Sequence, residues 1–350
     1  VLMALRVLSG IFSAMMFGTN MAILMIEVPL KSRASALALN TVFVYSALAV
    51  GPFIGGILTH YAGWKSIFYI SGVMILLMWL ASVTILKNEP PENKGSSFDL
   101  TGSVIYAAGL IGIIYGFTAL PHIYGFTAII MGLAAMAVFA VYETKVAVPV
   151  LDVSIFKTNK IFTVSCTAAL INYAANSATA FMLSLYLQYV KGFSADKAGL
   201  VLISQAVIQV GASVAAGKLS ARHAPAKLAL IGMFVSFLGL ASFAFISANT
   251  YLVIVIANLM ILGLGFGLFA SPNTNVIMSS VEKSHYSQAS ATTGTVRLTG
   301  QAFSIGLAAM AISIYMGKEK IVPELLPQFM KSVNLTFTIF AGLSALGVYM

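Results

Sequence analysis

Charge is the scarcest property of this chain. Only 8% of its 350 residues are Asp, Glu, Lys or Arg, and its mean hydropathy is +0.96. Soluble domains carry about a quarter charged residues, so a water-soluble globule is excluded. Cysteine is almost absent. Cys166 stands alone inside a hydrophobic run, which rules out a disulfide framework and a cysteine metal site. The four histidines, His60, His122, His223 and His285, lie far apart near the ends of hydrophobic runs and lack the spacing of metal ligands. No phosphate loop, dinucleotide glycine motif or triad spacing occurs. Gly263-Leu264-Gly265-Phe266-Gly267 has a superficial likeness to a phosphate loop, but it sits inside a hydrophobic run and reads as close helix packing. Acids are missing from the middle of every hydrophobic run: all ten Asp and Glu fall in loops or at run ends. No enzymatic chemistry and no cofactor is indicated, and nothing supports a nucleotide-driven pump.

What is present is hydrophobic length. A membrane-spanning helix needs about 20 apolar residues. Eleven segments qualify: 1–27, 34–59, 66–87, 100–119, 124–143, 161–190, 197–217, 226–248, 251–281, 288–316 and 332–350. The expected fold is an all-α polytopic bundle in a lipid bilayer. The net charge of +9 is then a question of loops and not a nucleic-acid footprint. One alternating set of loops holds Lys31, Arg33, Lys87, Lys94, Lys145, Lys157, Lys160, Lys218, Arg222, Lys227 and Lys283. The other holds Lys65, Lys191, Lys197, Lys318, Lys320 and Lys331. The richer set is expected on the cytoplasmic side. Val1 lies inside a hydrophobic run, which reads as a longer protein cut at the N-terminus at least.

The chain repeats itself at an offset of 255. Gly10 falls on Gly265, Thr19 on Thr274, Asn20 on Asn275, Glu27 on Glu282, Ser32 on Ser287, Ala34-Ser35-Ala36 on Ala289-Ser290-Ala291, Ala47 on Ala302 and Gly51 on Gly306. The polar matches are improbable in so apolar a composition. The offset is eight helices, an even number, so the repeats run parallel, as in transporter halves related by an axis along the membrane normal. Six-helix halves leave two helices over, most simply 100–119 and 124–143. The expected division is 1–87 as the rest of an N-terminal half, 88–160 as an inserted pair with its linkers, and 161–350 as a six-helix C-terminal half. Three more helices would complete the first half, giving fourteen in all.

Several stretches carry a family resemblance. Arg6 and Gly10 have the spacing of an Arg-x-x-x-Gly signature, and Gly51-Pro52-Phe53-Ile54-Gly55-Gly56 has the form of an antiporter signature. Phe98-Asp99-Leu100-Thr101-Gly102 stands before the inserted pair, and Pro149-Val150-Leu151-Asp152 with Phe156 before the second half. Tyr186-Leu187-Gln188-Tyr189-Val190, Gly192-Phe193-Ser194 and Ala198-Gly199 form an outer loop. Gly217-Lys218-Leu219-Ser220-Ala221-Arg222 is a cytoplasmic loop with Ala221 where an acid is expected. Together these resemble the major facilitator superfamily, and more narrowly its fourteen-helix drug:proton antiporter branch, the EmrB/QacA type. The resemblance implies a proton-coupling role for Arg6 and a proton-carrying carboxyl on a first helix that precedes Val1. It leaves a periplasmic adaptor and an outer-membrane channel as candidate partners, besides the substrate, protons and the bilayer of the plasma or inner membrane.

The residues themselves suggest roles. Gly51, Pro52, Gly55 and Gly56 form a small-residue face on a helix that Pro52 kinks. Leu307, Met310 and Ala311 replace Pro52, Gly55 and Gly56 in the second half, so the face is expected to be a one-sided outer seal and not general packing. Arg6 reads either as a coupling group or as a side chain reaching the outer interface. Arg297 reads as a cavity charge or proton-coupling group, or as a structural hydrogen-bonding hub. Asn172, Tyr173, Asn176, Gln205, Gln209, Asn273 and Asn275 are the expected cavity lining, with interhelical hydrogen bonding the competing role. Glu27, Glu282 and Arg222 are candidates for a cytoplasmic gate, with Glu282 pairing with Arg222. The expected function is proton-driven export of lipophilic drugs or toxic compounds. A facilitator for one metabolite or siderophore, and a membrane sensor on a transporter scaffold, are the alternatives.

Overall fold

The computed structural model describes residues 2–85, 99–146, 149–220, 222–317, 319 and 321–350. All regular structure among them is helical. The helices are α1 (Leu2–Glu27), α2 (Arg33–Ala62), α3 (Ser66–Ile85), α4 (Leu100–Thr118), α5 (Ile123–Glu143), the short α6 (Ser154–Thr158), α7 (Lys160–Asn176), α8 (Thr179–Leu185), α9 (Ala195–Leu219), α10 (Pro225–Phe243), α11 (Leu252–Ser279), α12 (Tyr286–Met316) and α13 (Leu326–Tyr349). Nine helices among the described residues are long and apolar enough to cross a membrane. The chain is therefore a multi-pass helical membrane bundle.

Local chemistry explains the helix ends. Asp99 caps α4 by accepting from the Gly102 N–H at 2.9 Å, and Asn159 caps α7 by accepting from the Phe162 N–H at 3.0 Å. Pro225 opens α10, where its missing N–H costs nothing. Gly63 and Gly317 follow α2 and α12 with φ of +75° and +62°, which a side chain would resist. The sequence repeat has a structural echo. α1–α2 and α11–α12 are each joined through a single turn of 3₁₀ helix, Leu30–Ser32 and Lys283–His285.

One expected span differs in kind. The run 161–190 is α7, a break at Ser177–Ala178, α8 and a π-helical turn at Tyr186–Val190. Side chains compete with the backbone there: Ser177 Oγ donates to the Tyr173 carbonyl at 2.7 Å, and Asn176 Nδ2 to the Asn172 carbonyl at 3.0 Å. Ser304 Oγ on α12 accepts from the Ala178 N–H at 2.9 Å. Irregular backbone at membrane depth survives only where protein satisfies it in this way. Two ends also move: α10 stops at Phe243, short of 248, and α13 begins at Leu326, before 332.

The last six spanning segments pack as one unit around Tyr186, Phe243, Leu259, Phe329, Phe337 and Phe340, all buried. This cluster lies toward the end where Tyr186 Oη donates to the Ser247 carbonyl at 2.8 Å. The opposite end carries the richer set of basic loops and is called the basic end here. A second cluster at the basic end joins α1 and α2 to the later helices: Met25 and Leu37 meet Phe162, Ile277, Met278 and Ala289. α4 and α5 form a tight hairpin. Cβ atoms added at Gly112 and Gly132 would lie 3.0 Å from the Gly132 Cα and 2.7 Å from the Ile113 nitrogen. Close backbone approach of this kind is the main attraction available between helices in lipid. The hairpin seats on α12, where Phe117 stacks edge-on with Phe303 at 4.5 Å and its carbonyl faces Gly306. Glycines of 263–267 alternate between neighbours, as packing requires: Gly263 and Gly267 face α9, and Gly265 faces α10.

Candidate functional site

A cavity of about 50 Å³ lies where the halves meet. α1 supplies Asn20, α2 Asn40 and Thr41, α7 Tyr173, α11 Thr274 and α12 Thr293 and Arg297. Asn20 Nδ2 donates to Asn40 Oδ1 at 3.2 Å and ties α1 to α2 at the cavity wall. The hydroxyls of Thr41, Thr274 and Thr293 each donate to a carbonyl of their own helix, at 2.8, 2.9 and 2.8 Å. Their protons are therefore engaged within the helix, and their oxygens keep capacity to accept. Arg297 is the single charged residue among the described lining residues. A site of neutral polar groups around one guanidinium suits recognition by hydrogen bonding and offers no redox or nucleophilic chemistry. Ligand pockets usually exceed about 300 Å³, so a drug-sized molecule needs the halves to part further.

The basic end below the cavity is closed by contacts between the halves. Arg33 on α2 donates through Nη1 to Tyr286 Oη on α12 at 3.3 Å, and its guanidinium lies 5.9 Å from that ring. Its Nε donates to the Val28 carbonyl at 3.1 Å, which fixes the side chain. Gly217 on α9 faces Ala34, Ser35 and Ala38 on α2 so closely that a Cβ there would overlap Ala38. Toward the other end α1 and α2 stand clear of the second half. Leu5, Leu8, Phe12 and Met16 are exposed, as are Phe43 and Ile54.

The expected site residues are distributed differently from the expectation. Of the seven assigned to the cavity lining, Tyr173 alone among the described residues lines it. Asn172, Asn176, Gln209 and Asn273 are buried between helices, and Asn273 Nδ2 donates to the Ser165 carbonyl at 3.1 Å. Gln205 is half-buried, its carbonyl facing Gly263, and Asn275 is half-buried on α11. Amides at helical spacing mark a polar stripe, and a stripe serves a neighbouring helix as readily as a cavity. Arg6 is exposed with its guanidinium 5.1 Å from the Phe68 ring centre on α3. Glu27, Glu282 and Arg222 are exposed at the basic end. Among the described residues no Glu282–Arg222 pair forms. The ion pair found there is His285 Nε2 with Asp152 Oδ2 at 3.7 Å. The backbone of 51–56 is helical, and a Cβ added at Gly55 meets nothing within 4 Å. The side chains of Gly51, Pro52 and Gly56, and with them the expected kink, lie outside the described residues, as does Ala221.

Sequence reasoning missed Asn20, Asn40 and Arg33 as site residues. The repeat contained a signal for Asn20, since it matches Asn275. Nothing in local sequence separates Arg33 from Lys31 as the cross-half donor.

The helical bundle thus holds a polar cavity that is closed at its basic end. The chain belongs to the Major Facilitator Superfamily, whose profile matches residues 1–305. It is 26% identical over 310 residues to the riboflavin transporter RibZ of Clostridioides difficile, covering 88% of this chain and 66% of that protein. It is 24% identical over 280 residues to the tetracenomycin C resistance and export protein of Streptomyces glaucescens, covering 79% and 52%. It is 26% identical over 299 residues to the multidrug efflux pump LfrA of Mycolicibacterium smegmatis, covering 84% and 59%. The chain thus spans between half and two thirds of the length of these relatives.

Proposed function

We propose that this chain forms most of a secondary transporter that exports lipophilic compounds across the plasma or inner membrane, by alternating access and in exchange for protons. The observation that carries this reading is the cavity between the halves, sealed at the basic end by Arg33–Tyr286 and the Gly217 contact. Placing the richer basic loops in the cytoplasm makes this arrangement closed to the cytoplasm, one of the two states that alternating access requires. The drug-resistance and efflux names of two relatives support export. In the opposite state the small-residue face at 51–56 is free to meet the second half and act as the outer seal. Deletion of the gene should raise accumulation of lipophilic dyes, the full-length gene should reverse this, and a protonophore should abolish the reversal. Unchanged dye accumulation on deletion would remove the reading.

A second reading has one specific observation behind it, the similarity to a riboflavin transporter. A carrier for one hydrogen-bonding metabolite suits a cavity of amides, hydroxyls and a guanidinium. Riboflavin uptake or efflux by the reconstituted full-length protein, without any effect on dyes, distinguishes it.

A further inference from the structure

Glu143 is the one Asp or Glu among the described residues that the fold buries, with 3% of its surface exposed. It ends α5 opposite Asp99, the N-cap of α4. The two carboxylates converge over Gly102. A Cβ at that position would overlap both Asp99 Oδ2 and Glu143 Oε1, so residue 102 admits the pair only because it has no side chain. Asp99 Oδ1 is occupied, accepting from the Gly102 N–H at 2.9 Å and from Tyr142 Oη at 3.3 Å. Asp99 Oδ2 and both oxygens of Glu143 are buried without a hydrogen-bond partner. The backbone of Val150 and Leu151 also lies against the Glu143 carboxylate. Among the described residues, Asp99 is the only charged group acting on Glu143, and Lys145, the nearest described cation along the chain, is exposed.

Two carboxylates brought together over one glycine repel each other. A single proton between them replaces the repulsion with a short, charge-assisted hydrogen bond. We infer that Asp99 and Glu143 form a one-proton site in the inserted hairpin, and that residues 149–159 carry its occupancy to the closed basic end. The same segment that lies against Glu143 at Val150 and Leu151 continues into the closure. Asp152 pairs with His285, one residue before α12. Ile155 sits in the cluster that joins the halves. Asn159 Nδ2 donates to the Ser280 carbonyl at the end of α11 at 2.6 Å. With the proton bound, the ends of α4 and α5 stay clasped and the segment is held. Release of that one proton to the adjacent water leaves two negative charges, which separate and free the segment from His285 and Ser280. The proton site stands on its own geometry, whereas its use in gating rests on the transporter reading.

The test uses the intact transporter in proteoliposomes. Infrared difference spectra between low and high pH should show a protonated-carboxyl band that titrates in the wild type and is lost in Glu143→Gln and in Asp99→Asn. Spin labels at Val153→Cys and Ser287→Cys should move apart over the same pH interval in the wild type and stay close at every pH in Glu143→Gln. Tyr142→Phe removes a donor to the charged form, so it should move the transition to higher pH. This variant also serves if the carboxyl variants fail to fold. No titrating band in the wild type, a band that persists in both carboxyl variants, or an unshifted transition in Tyr142→Phe overturns the proton site. A label distance that follows pH identically in Glu143→Gln overturns the link to the closure. Dye export is scored separately: a wild type that shows the band but exports no dye refutes the transporter reading and leaves the proton site standing.

Discussion

Gly217 offers the most direct test of how the halves close. It lies at the end of α9 and faces the first turns of α2. An added Cβ would overlap the Ala38 Cβ and lie 3.3 Å from the Ala34 carbonyl oxygen and 3.6 Å from the Ser35 Cα. Two of the three neighbours are backbone, so no rotamer change relieves the contact. α9 and α2 must separate by on the order of 1 Å to restore ordinary carbon contacts of about 3.5–4.0 Å. A valine, branched at Cβ, cannot turn its methyls away from both walls. Overpacking of this kind costs roughly 1–3 kcal/mol. The cost falls on the closed state alone if the halves part in the other state. It should therefore shift the equilibrium toward opening at the basic end by about 5–150-fold. Spin labels at Ser32→Cys and Ser287→Cys, both exposed and one on each half, report the separation by pulsed electron resonance. The native Cys166 is only 3% exposed and does not compete for label. Gly217→Val should add a population at longer distance, with Gly217→Ala between it and the wild type. An unchanged distance distribution in folded Gly217→Val protein would refute the assignment of this contact to the closure.

Other substitutions probe the remaining parts. Gly306→Leu pushes against the Phe117 carbonyl and should loosen the inserted hairpin from α12. The expected loss is about 1–3 kcal/mol, visible as a lower unfolding midpoint with normal membrane insertion. Arg297→Gln removes the only charge among the described cavity residues and should cut export at least about tenfold; a tenfold change corresponds to about 1.4 kcal/mol. Gly55→Leu should abolish or uncouple export while leaving insertion intact, since a Cβ there meets nothing within 4 Å in the present state and the bulkier side chain would stand in the way of an outer closure. Coupled transport at the wild-type rate counts against the seal. Reversing charge at Glu282 and Arg222 separately should impair export, and reversing both should restore it, if the two pair in a state other than this one. Failure of the double reversal to restore it removes the pairing.

Hydropathy alone made the multi-pass helical bundle legible, with nine membrane-capable helices among the described residues, because each span is a statement about one stretch of chain between water and lipid. The alternation of basic loops and the 255-residue repeat were legible for the same reason. The broken span at Ser177–Ala178 was not, since its apolar length is uninterrupted and the break is stabilised by Ser304, more than a hundred residues away. The amide stripe on α7 and α9 was legible as polar, and Asn172, Asn176 and Gln209 are buried between helices here, the competing role that the sequence leaves open. In lipid the outside of a helix is as apolar as its packed side, so the pattern does not say which face meets which neighbour.

By itself, then, the sequence determined that this is a multi-pass helical bundle and which stretches are apolar enough to span a membrane. Only the tertiary structure decided which contacts close the basic end, that the cavity is framed by Asn20, Asn40 and Arg297, and that Asp99 and Glu143 converge over Gly102. The first set follows from the transfer of single segments out of water. The second depends on side chains tens to hundreds of residues apart meeting at distances of a few ångströms, which no local pattern encodes.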